Sequence, residues 1–363
     1  MLIEFDERDI ARRKAFMESV FALKNDRPGL LYQIEIKTGD FGVDDVLLHK
    51  ELMLLCQLKE FEKKSFIRDD YVPVLHTDLG TAIFPSAFGA KVDFFPHTMP
   101  WAHPLVSKPE EVSLLSCNVR AGLLDRVLEY TTYFQEATHY RFPIRVTDIQ
   151  GPLDVAYLVW NNQDFMYAMY THSKEVHSLL QKATDLIINF VKTQRSMVKT
   201  EFVPLHFPRL YMPEGLGIGV SEDASAFIGP KQYEEYALPY LNALSEEFGG
   251  IFIHSCGNFS HNLENITKIH NLRGLDFGIT EIPFDNVLKV FNNKVVLSVR
   301  AGLNKEFNPF RDYLEFVDFV LDRKPDPRGL VIQIWQVATE ENLEIAWRDD
   351  YYQQVEKRIY REG

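Results

Sequence analysis

Eight short apolar runs, spread along the chain and separated by longer stretches of mixed polarity, limit what this sequence can fold into. They are GLLYQIEI (29–36), YVPVL (71–75), IRVTDI (144–149), LGIGV (216–220), IFIH (251–254), GLDF (274–277), VVLSV (295–299) and LVIQIW (330–335). Each is short and rich in aliphatic and β-branched residues. As a set they do not alternate strictly between apolar and polar, so a strand with one wet face fits them poorly. They suit strands covered on both faces, as in a parallel sheet.

Between these runs the apolar spacing becomes helical. In 231–247, Tyr233, Tyr236, Ala237, Tyr240, Leu241 and Leu244 fall on one face, after a Gly229-Pro230 start signal. In 174–192, Val176, Leu179, Leu180, Ala183, Ile187 and Phe190 form a core stripe. The segments 119–138 and 338–356 read the same way. Strand and helix alternating about eight times predict an α/β fold, a single (β/α)8 barrel. An open doubly wound sheet is the alternative, but no G-x-G-x-x-G follows the first strand. With no low-complexity linker or short repeat, one domain is expected over 1–363, its first 65 residues forming a helical and first-strand part. The stretch AIFPSAFGAKVDFFPHTMPWAHP (82–104) is irregular, aromatic and proline-rich. Two readings are open for it: a cover over one mouth of the barrel, or packing on the outside.

Charge narrows the partners. A formal net charge of -13 repels phosphate backbones, which argues against nucleic acid. The opening MLIEFDERDIARRK carries charges where a signal peptide needs an apolar centre. No apolar run approaches the roughly 18 residues of a membrane span. Three cysteines in 363 residues make no disulfide framework. A reduced, cytoplasmic protein is expected.

In such a barrel the reacting groups lie at the C-terminal ends of the strands. Those ends carry His76, Thr77 and Asp78; Asp148 and Gln150; Ser221, Glu222 and Asp223; His254 and Cys256; Asp276; Arg300; and Trp335 and Gln336. His254 and Cys256 in IFIHSCGN are two apart, so on a strand both side chains point the same way. Imidazole and thiolate are favoured zinc donors, and a catalytic zinc takes three protein ligands plus an open position. The competing reading is a buried Cys acting as a small hydrophobe beside a His that caps backbone. Cys56 and Cys117 fall in helix-like or pre-helix segments, expected far from the strand ends. A third donor is therefore sought among Glu222, Asp223, Asp78 and His76. Asp78, with Gly80 close behind, is either a desolvated carboxylate that steers a cationic or N–H-rich ligand, or the cap of the next helix.

Several stretches together resemble the uroporphyrinogen decarboxylase superfamily, which includes the methylcobamide:thiol methyltransferases. They are DDYVPVLHTDLGTAIFPSAFGAKVDF (69–94), GPLDVAYLVW (151–160), THSKEVHSLLQKATDLIINFV (171–191), EDASAFIGPKQYEEYALPYLNAL (222–244) and IFIHSCGNFSHNLENITKIHNLRGLDF (251–277). The likeness spans roughly 65–355, and H-x-C-G-N is similar to the start of the methyltransferase zinc motif. It implies a (β/α)8 barrel, commonly a homodimer. It implies zinc on His254 and Cys256, completed by an acidic residue such as Glu222 or Asp223, and a corrinoid carried by a partner protein. Asp78 matches the aspartate that faces pyrrole N–H groups in the decarboxylase, and Asp223 matches a substrate-touching serine region. Those two are the expected catalytic residues, with His76, Asp148, Gln150, Tyr157, Arg300, Trp335 and Gln336 expected to bind substrate. The sequence also departs from the pattern. VIQIWQVATEEN (331–342) lacks the methyltransferase's third cysteine and the decarboxylase's final-strand histidine. The arginine-rich N-terminal signature is missing too, and Lys37, Thr38, Gly39 and Asp40 follow the first strand instead. Zinc-assisted methyl transfer between a small substrate or thiol and a corrinoid is the leading expectation. A lyase acting on a tetrapyrrole or another carboxylated ring is the second, and a non-catalytic corrinoid or tetrapyrrole binder the third.

Overall fold

A computed structural model describes residues 6–37, 41–301, 309–339 and 350–360. Eleven strands lie in these residues: β1 (Gly29–Lys37), β2 (Leu75–His76), β3 (Val92–Phe95), β4 (Thr98–Ala102), β5 (Ile144–Arg145), β6 (Phe202–Val203), β7 (Ile218–Ser221), β8 (Ile251–His254), β9 (Leu272–Gly278), β10 (Val296–Arg300) and β11 (Leu330–Thr339). Six form one sheet in the order β1-β11-β10-β9-β8-β7, and three form a second in the order β2-β5-β6. Every pairing within these two sheets is parallel. The non-alternating runs explain this, since all five residues of β10 and all four of β8 are buried on both faces.

Helices cover the sheets. The longest, Ser173–Met197, buries Val176, Leu179, Leu180, Ala183, Ile187 and Phe190, the stripe read from sequence. Phe190 meets Phe84 edge-on at 5.8 Å between ring centres. Each of these side chains larger than alanine contributes about 1.5–3 kcal/mol through burial.

The two sheets meet at two different seams. Between β6 and β7 the contact is backbone to backbone: Gly219 N–H donates to Pro204 O at 2.8 Å, Ser221 N–H to Ile149 O at 2.9 Å, and Gly151 N–H to Ser221 O at 2.7 Å. Between β1 and β2, side chains do most of the joining. Asp70 and Asp69 accept from Leu30 N–H (2.9 Å) and Tyr32 N–H (3.1 Å) along the edge of β1. Gln57, from helix Lys50–Lys64, bonds both the N–H and the C=O of His76 at 2.8 Å, as a neighbouring strand would. One backbone bond, Asp70 N–H to Leu30 O at 2.9 Å, spans this seam directly. The α/β class with parallel strands is as expected, but the strands divide into two sheets rather than one continuous ladder.

Other expectations change in detail. YVPVL yields one strand residue, Leu75, with His76 completing β2; IRVTDI yields two, and β6 was not anticipated. Pro204 follows β6 at once and has no N–H to continue a ladder. The helix over 231–247 is interrupted by a π turn at Tyr233–Ala237 before it resumes as Leu238–Phe248. Pro239 supplies the cause, because it has no N–H to give to residue 235. The stretch 82–104 is ordered as a short helix, Ile83–Ala87, and the antiparallel hairpin β3–β4. In the segment 338–356, residues 338–339 end β11, 340–349 lie outside the described residues, and a helix covers Asp350–Tyr360. Thr38, Gly39 and Asp40 also lie outside the described residues. Among those described, no helix is long and apolar enough to cross a membrane.

Candidate metal centre

Parallel register builds the site. Ser221 pairs with His254, His254 with Asp276, and Asp276 with Ser298, so these residues form one row across β7, β8, β9 and β10. Side chains in such a row face the same side of the sheet. His254 Nδ1 therefore meets Asp276 Oδ2 at 2.6 Å, with both residues buried. Arg300 Nη1 donates to the same oxygen at 2.6 Å, and Gln333 Nε2 donates to Asp276 Oδ1. A carboxylate on Nδ1 selects the Nδ1–H tautomer and leaves the Nε2 lone pair free for a metal.

That Nε2 faces two further donors. Cys256 Sγ lies 3.4 Å away and Asp223 Oδ1 4.0 Å away. Ligand atoms of Asp223, His254 and Cys256 all fall within 4.8 Å of one another. Zinc bonds of about 2.0–2.3 Å in a tetrahedron set donors roughly 3.3–3.8 Å apart. The His254–Cys256 distance falls in that range and Asp223 Oδ1 lies just beyond it, so a small shift of the Asp223 side chain would close the three on one ion with a fourth position open. Asp223 is held by its surroundings: Asp154 accepts from the N–H groups of Asp223 and Ala224, both at 2.7 Å. Asp223 Oδ1 in turn accepts from Cys256 N–H at 2.6 Å.

Burial first, and then the charge of Asp223, push the Cys256 thiol up to about 12, although Arg300 Nη2 at 3.5 Å opposes them. Without a metal this thiol is protonated at neutral pH. Burial would also raise Asp276, but the Arg300 and His254 partners outweigh it and hold the carboxyl below its ordinary range. Glu281 completes the wall, accepting from Arg300 Nη2 at 3.3 Å and Gly257 N–H at 3.2 Å. The Phe207 ring stands edge-on to His254 at 4.4 Å and lies 5.7 Å from the ring of Trp335.

Glu222 is placed differently from Asp223. It is fully buried, and neither carboxyl oxygen has a hydrogen-bond partner among the described residues. Burial, then the charges of Asp154 and Asp223, lift its pKa well above the usual carboxylate range. It packs against Gly151, where an added Cβ would come within 1.9 Å of Glu222 Oε2. Gly151→Ala is therefore expected to cost about 1–3 kcal/mol of stability by overpacking, read as a lower urea midpoint. Unchanged stability would show that the Glu222 side chain moves aside freely.

The remaining expected residues separate into groups. Asp148 accepts from Gln150 Nε2 at 2.7 Å and lies 3.4 Å from His206. Burial, then the charge of Asp78, push Asp148 up to about 8. Asp78 accepts from Gly80 N–H at 2.8 Å, and with His76 it lines a cavity between helix Lys50–Lys64, β2 and the loop after β6. Cys56 lines that cavity too, from the helix Lys50–Lys64. Tyr157 stacks on Phe227 at 6.3 Å. The backbone C=O of Trp335 accepts from Tyr313 Oη. Gln336 lies on β11, but its side chain falls outside the described residues. Sequence reasoning missed Asp154, Phe207, Glu281 and Gln333 as members of the site. Asp154 stands inside the GPLDV motif, which was the available signal, whereas Phe207 follows the unanticipated β6 and carried none.

This α/β fold with a His-Cys-Asp cluster has relatives. Residues 75–197 match the uroporphyrinogen decarboxylase (URO-D) family, so the resemblance to that superfamily holds over about a third of the chain. Among solved structures, a methyltransferase from Methanosarcina mazei shares the fold, with a TM-score of 0.63 at 14% identity over 93% of this chain and 98% of that one. No curated protein matches the sequence significantly.

Proposed function

We propose that this chain is a zinc-dependent methyltransferase, moving a methyl group between a small substrate or thiol and a corrinoid carried by a partner protein. The observation that carries the reading is the convergence of His254 Nε2, Cys256 Sγ and Asp223 Oδ1 within 4.8 Å, with Asp276 fixing the imidazole from behind. Asp223 rather than Glu222 takes the place of the missing third cysteine. On this reading the two parallel sheets are arcs of one (β/α)8 barrel, with the centre at its carboxyl mouth. Zinc bound there would draw in a substrate thiol and lower its pKa. The chain's own residues hold and shield that position. Asp276 orients His254, Arg300 sets positive charge beside Cys256 Sγ, and Phe207 covers the imidazole face.

Metal analysis of protein purified without chelator tests this. Wild type is expected to carry about one zinc per chain, and His254→Ala, Cys256→Ser and Asp223→Ala much less. Equal, near-zero zinc in wild type and His254→Ala would end the methyltransferase reading. The lyase reading keeps one observation in its favour: the family match includes Asp78, a half-buried carboxyl on a cavity wall. Turnover of uroporphyrinogen that disappears in Asp78→Asn would move the assignment there.

A further inference from the structure

Beside the metal-binding row lies a second polar group that the centre itself does not use. His206, in the loop that follows β6, is buried. Its Nδ1 lies 3.2 Å from Gly219 O, and its Nε2 lies 3.0 Å from Ser221 Oγ and 3.4 Å from Asp148 Oδ1. A carbonyl only accepts, so the proton of the neutral ring sits on Nδ1 and the Nε2 lone pair faces the other two groups. Ser221 can meet that lone pair with its hydroxyl proton. An ionised Asp148 cannot, since it would set its own lone pairs against the ring's. Asp148 and His206 therefore hold one proton between them.

The surroundings keep that proton on the carboxyl. Burial, then the charge of His254, press the His206 imidazole down to about 3, and Arg145 adds to this. Burial and the charges of Asp78 and Asp223 push Asp148 up to about 8, against the Gln150 amide that donates to Oδ1 at 2.7 Å. Asp154 faces Asp148 as well and is another acid. No lysine or arginine pairs with Asp148 among the described residues, and Arg145 donates instead to the backbone carbonyls of Leu205, Leu210 and Arg209. A carboxyl kept neutral at pH 7 is a proton donor in reserve. Its place suits that use. Ser221 pairs in register with His254, and Phe207, the residue after His206, stands 4.4 Å from the His254 ring. Ser221 and His206 are sealed in, whereas the Asp148 side chain is 14% exposed and forms the open end of the group.

We propose that Asp148, backed by His206, gives its proton to the atom that the methyl group leaves at the metal centre. The inference rests on the methyltransferase reading. With a methyl thioether as donor, the carbon–sulfur bond breaks and the methyl passes without its bonding electrons to a reduced corrinoid, whose electron pair forms the new bond. Sulfur keeps the old pair and takes the Asp148 proton. The products are a thiol, a methylated corrinoid and an Asp148 carboxylate, which recovers its proton from water. A sulfonium donor needs no such proton, because its sulfur leaves as a neutral thioether. His206 is a positioning residue here: its lone pair faces the carboxyl and opposes ionisation.

Two measurements on the full chain test this. In metal-free protein labelled with carboxyl-13C aspartate, one resonance is expected to titrate near pH 8 and to be missing from Asp148→Asn. His206→Gln replaces the lone pair with an amide whose N–H favours the ionised carboxyl, so that titration is expected to move to lower pH. In zinc-loaded protein with cob(I)alamin as methyl acceptor, Asp148→Asn is expected to lower the rate with dimethyl sulfide, relative to the rate with trimethylsulfonium, by about a hundredfold. Both variants are expected to take up zinc as wild type does, which shows that the fold and the centre survive. Titration of Asp148 in the ordinary carboxylate range, a titration unmoved in His206→Gln, or an equal effect on both donors would overturn the proposal. Any of these with wild-type methyl transfer intact would leave the methyltransferase reading standing. A wild-type chain that holds no zinc and methylates cob(I)alamin from neither donor would remove that reading and the donor role with it, even if a carboxyl titrates near 8.

Discussion

Asp276→Asn is expected to weaken zinc binding by about 10- to 100-fold, measured by competition with a chromogenic chelator. The carboxylate does two jobs. It accepts from His254 Nδ1 at 2.6 Å and so aims Nε2 at the ion. It also neutralises Arg300, whose side chain is 1% exposed. Asparagine keeps the size but loses the charge, so the carboxylate left to the buried guanidinium among the described residues is Glu281 at 3.3 Å. Breaking a buried pair by removing one partner costs about 3–5 kcal/mol, so the metal-free variant should also unfold at clearly lower urea. Loss of stability with unchanged zinc affinity would mean that Asp276 supports Arg300 and does not orient the histidine.

Glu222→Gln is expected to stabilise the metal-free protein, by an amount that depends on pH. Glu222 has its pKa raised in the folded chain, so the folded state holds the proton more tightly than the unfolded one. Stability from this group is complete below the unfolded value, near 4.3, and declines as pH rises toward the folded value. The decline is about 1.4 kcal/mol per pH unit for one group, and glutamine does not share it. The variant should therefore match wild type near pH 4 and gain on it as pH rises toward the folded value. A stability difference that stays flat with pH would show that Glu222 is ionised in the fold, held by a partner absent from the described contacts.

Much of this site was legible in the sequence because it depends on strand periodicity. His254 and Cys256 two apart near the end of an aliphatic run were bound to share a face, and Asp276 ends a run of the same kind. What was not legible depends on register and on loops. Nothing in the chain announces that His254 lies level with Asp276, since register between parallel strands is set by packing of the helices between them. The choice of Asp223 over its neighbour Glu222 is similar. Adjacent residues point opposite ways, and a turn held by Asp154 decides which one meets the cysteine. The loop carrying Phe207 and Arg209 follows a strand of two residues, too short to stand out from its surroundings. The division into two sheets escaped for a related reason, because Gln57 on a helix and Asp69 and Asp70 before β2 do the joining there.

That last arrangement bears on where the molecule can loosen. A ladder between strands comes apart only by moving a whole strand, and the backbone amides it exposes must find water. Carboxylates that grip β1 from Asp69 and Asp70, and an amide that stands beside His76, let go with a change of rotamer. This seam can thus part and reseal locally while β7 to β10 keep the ladder that aligns the metal-binding row.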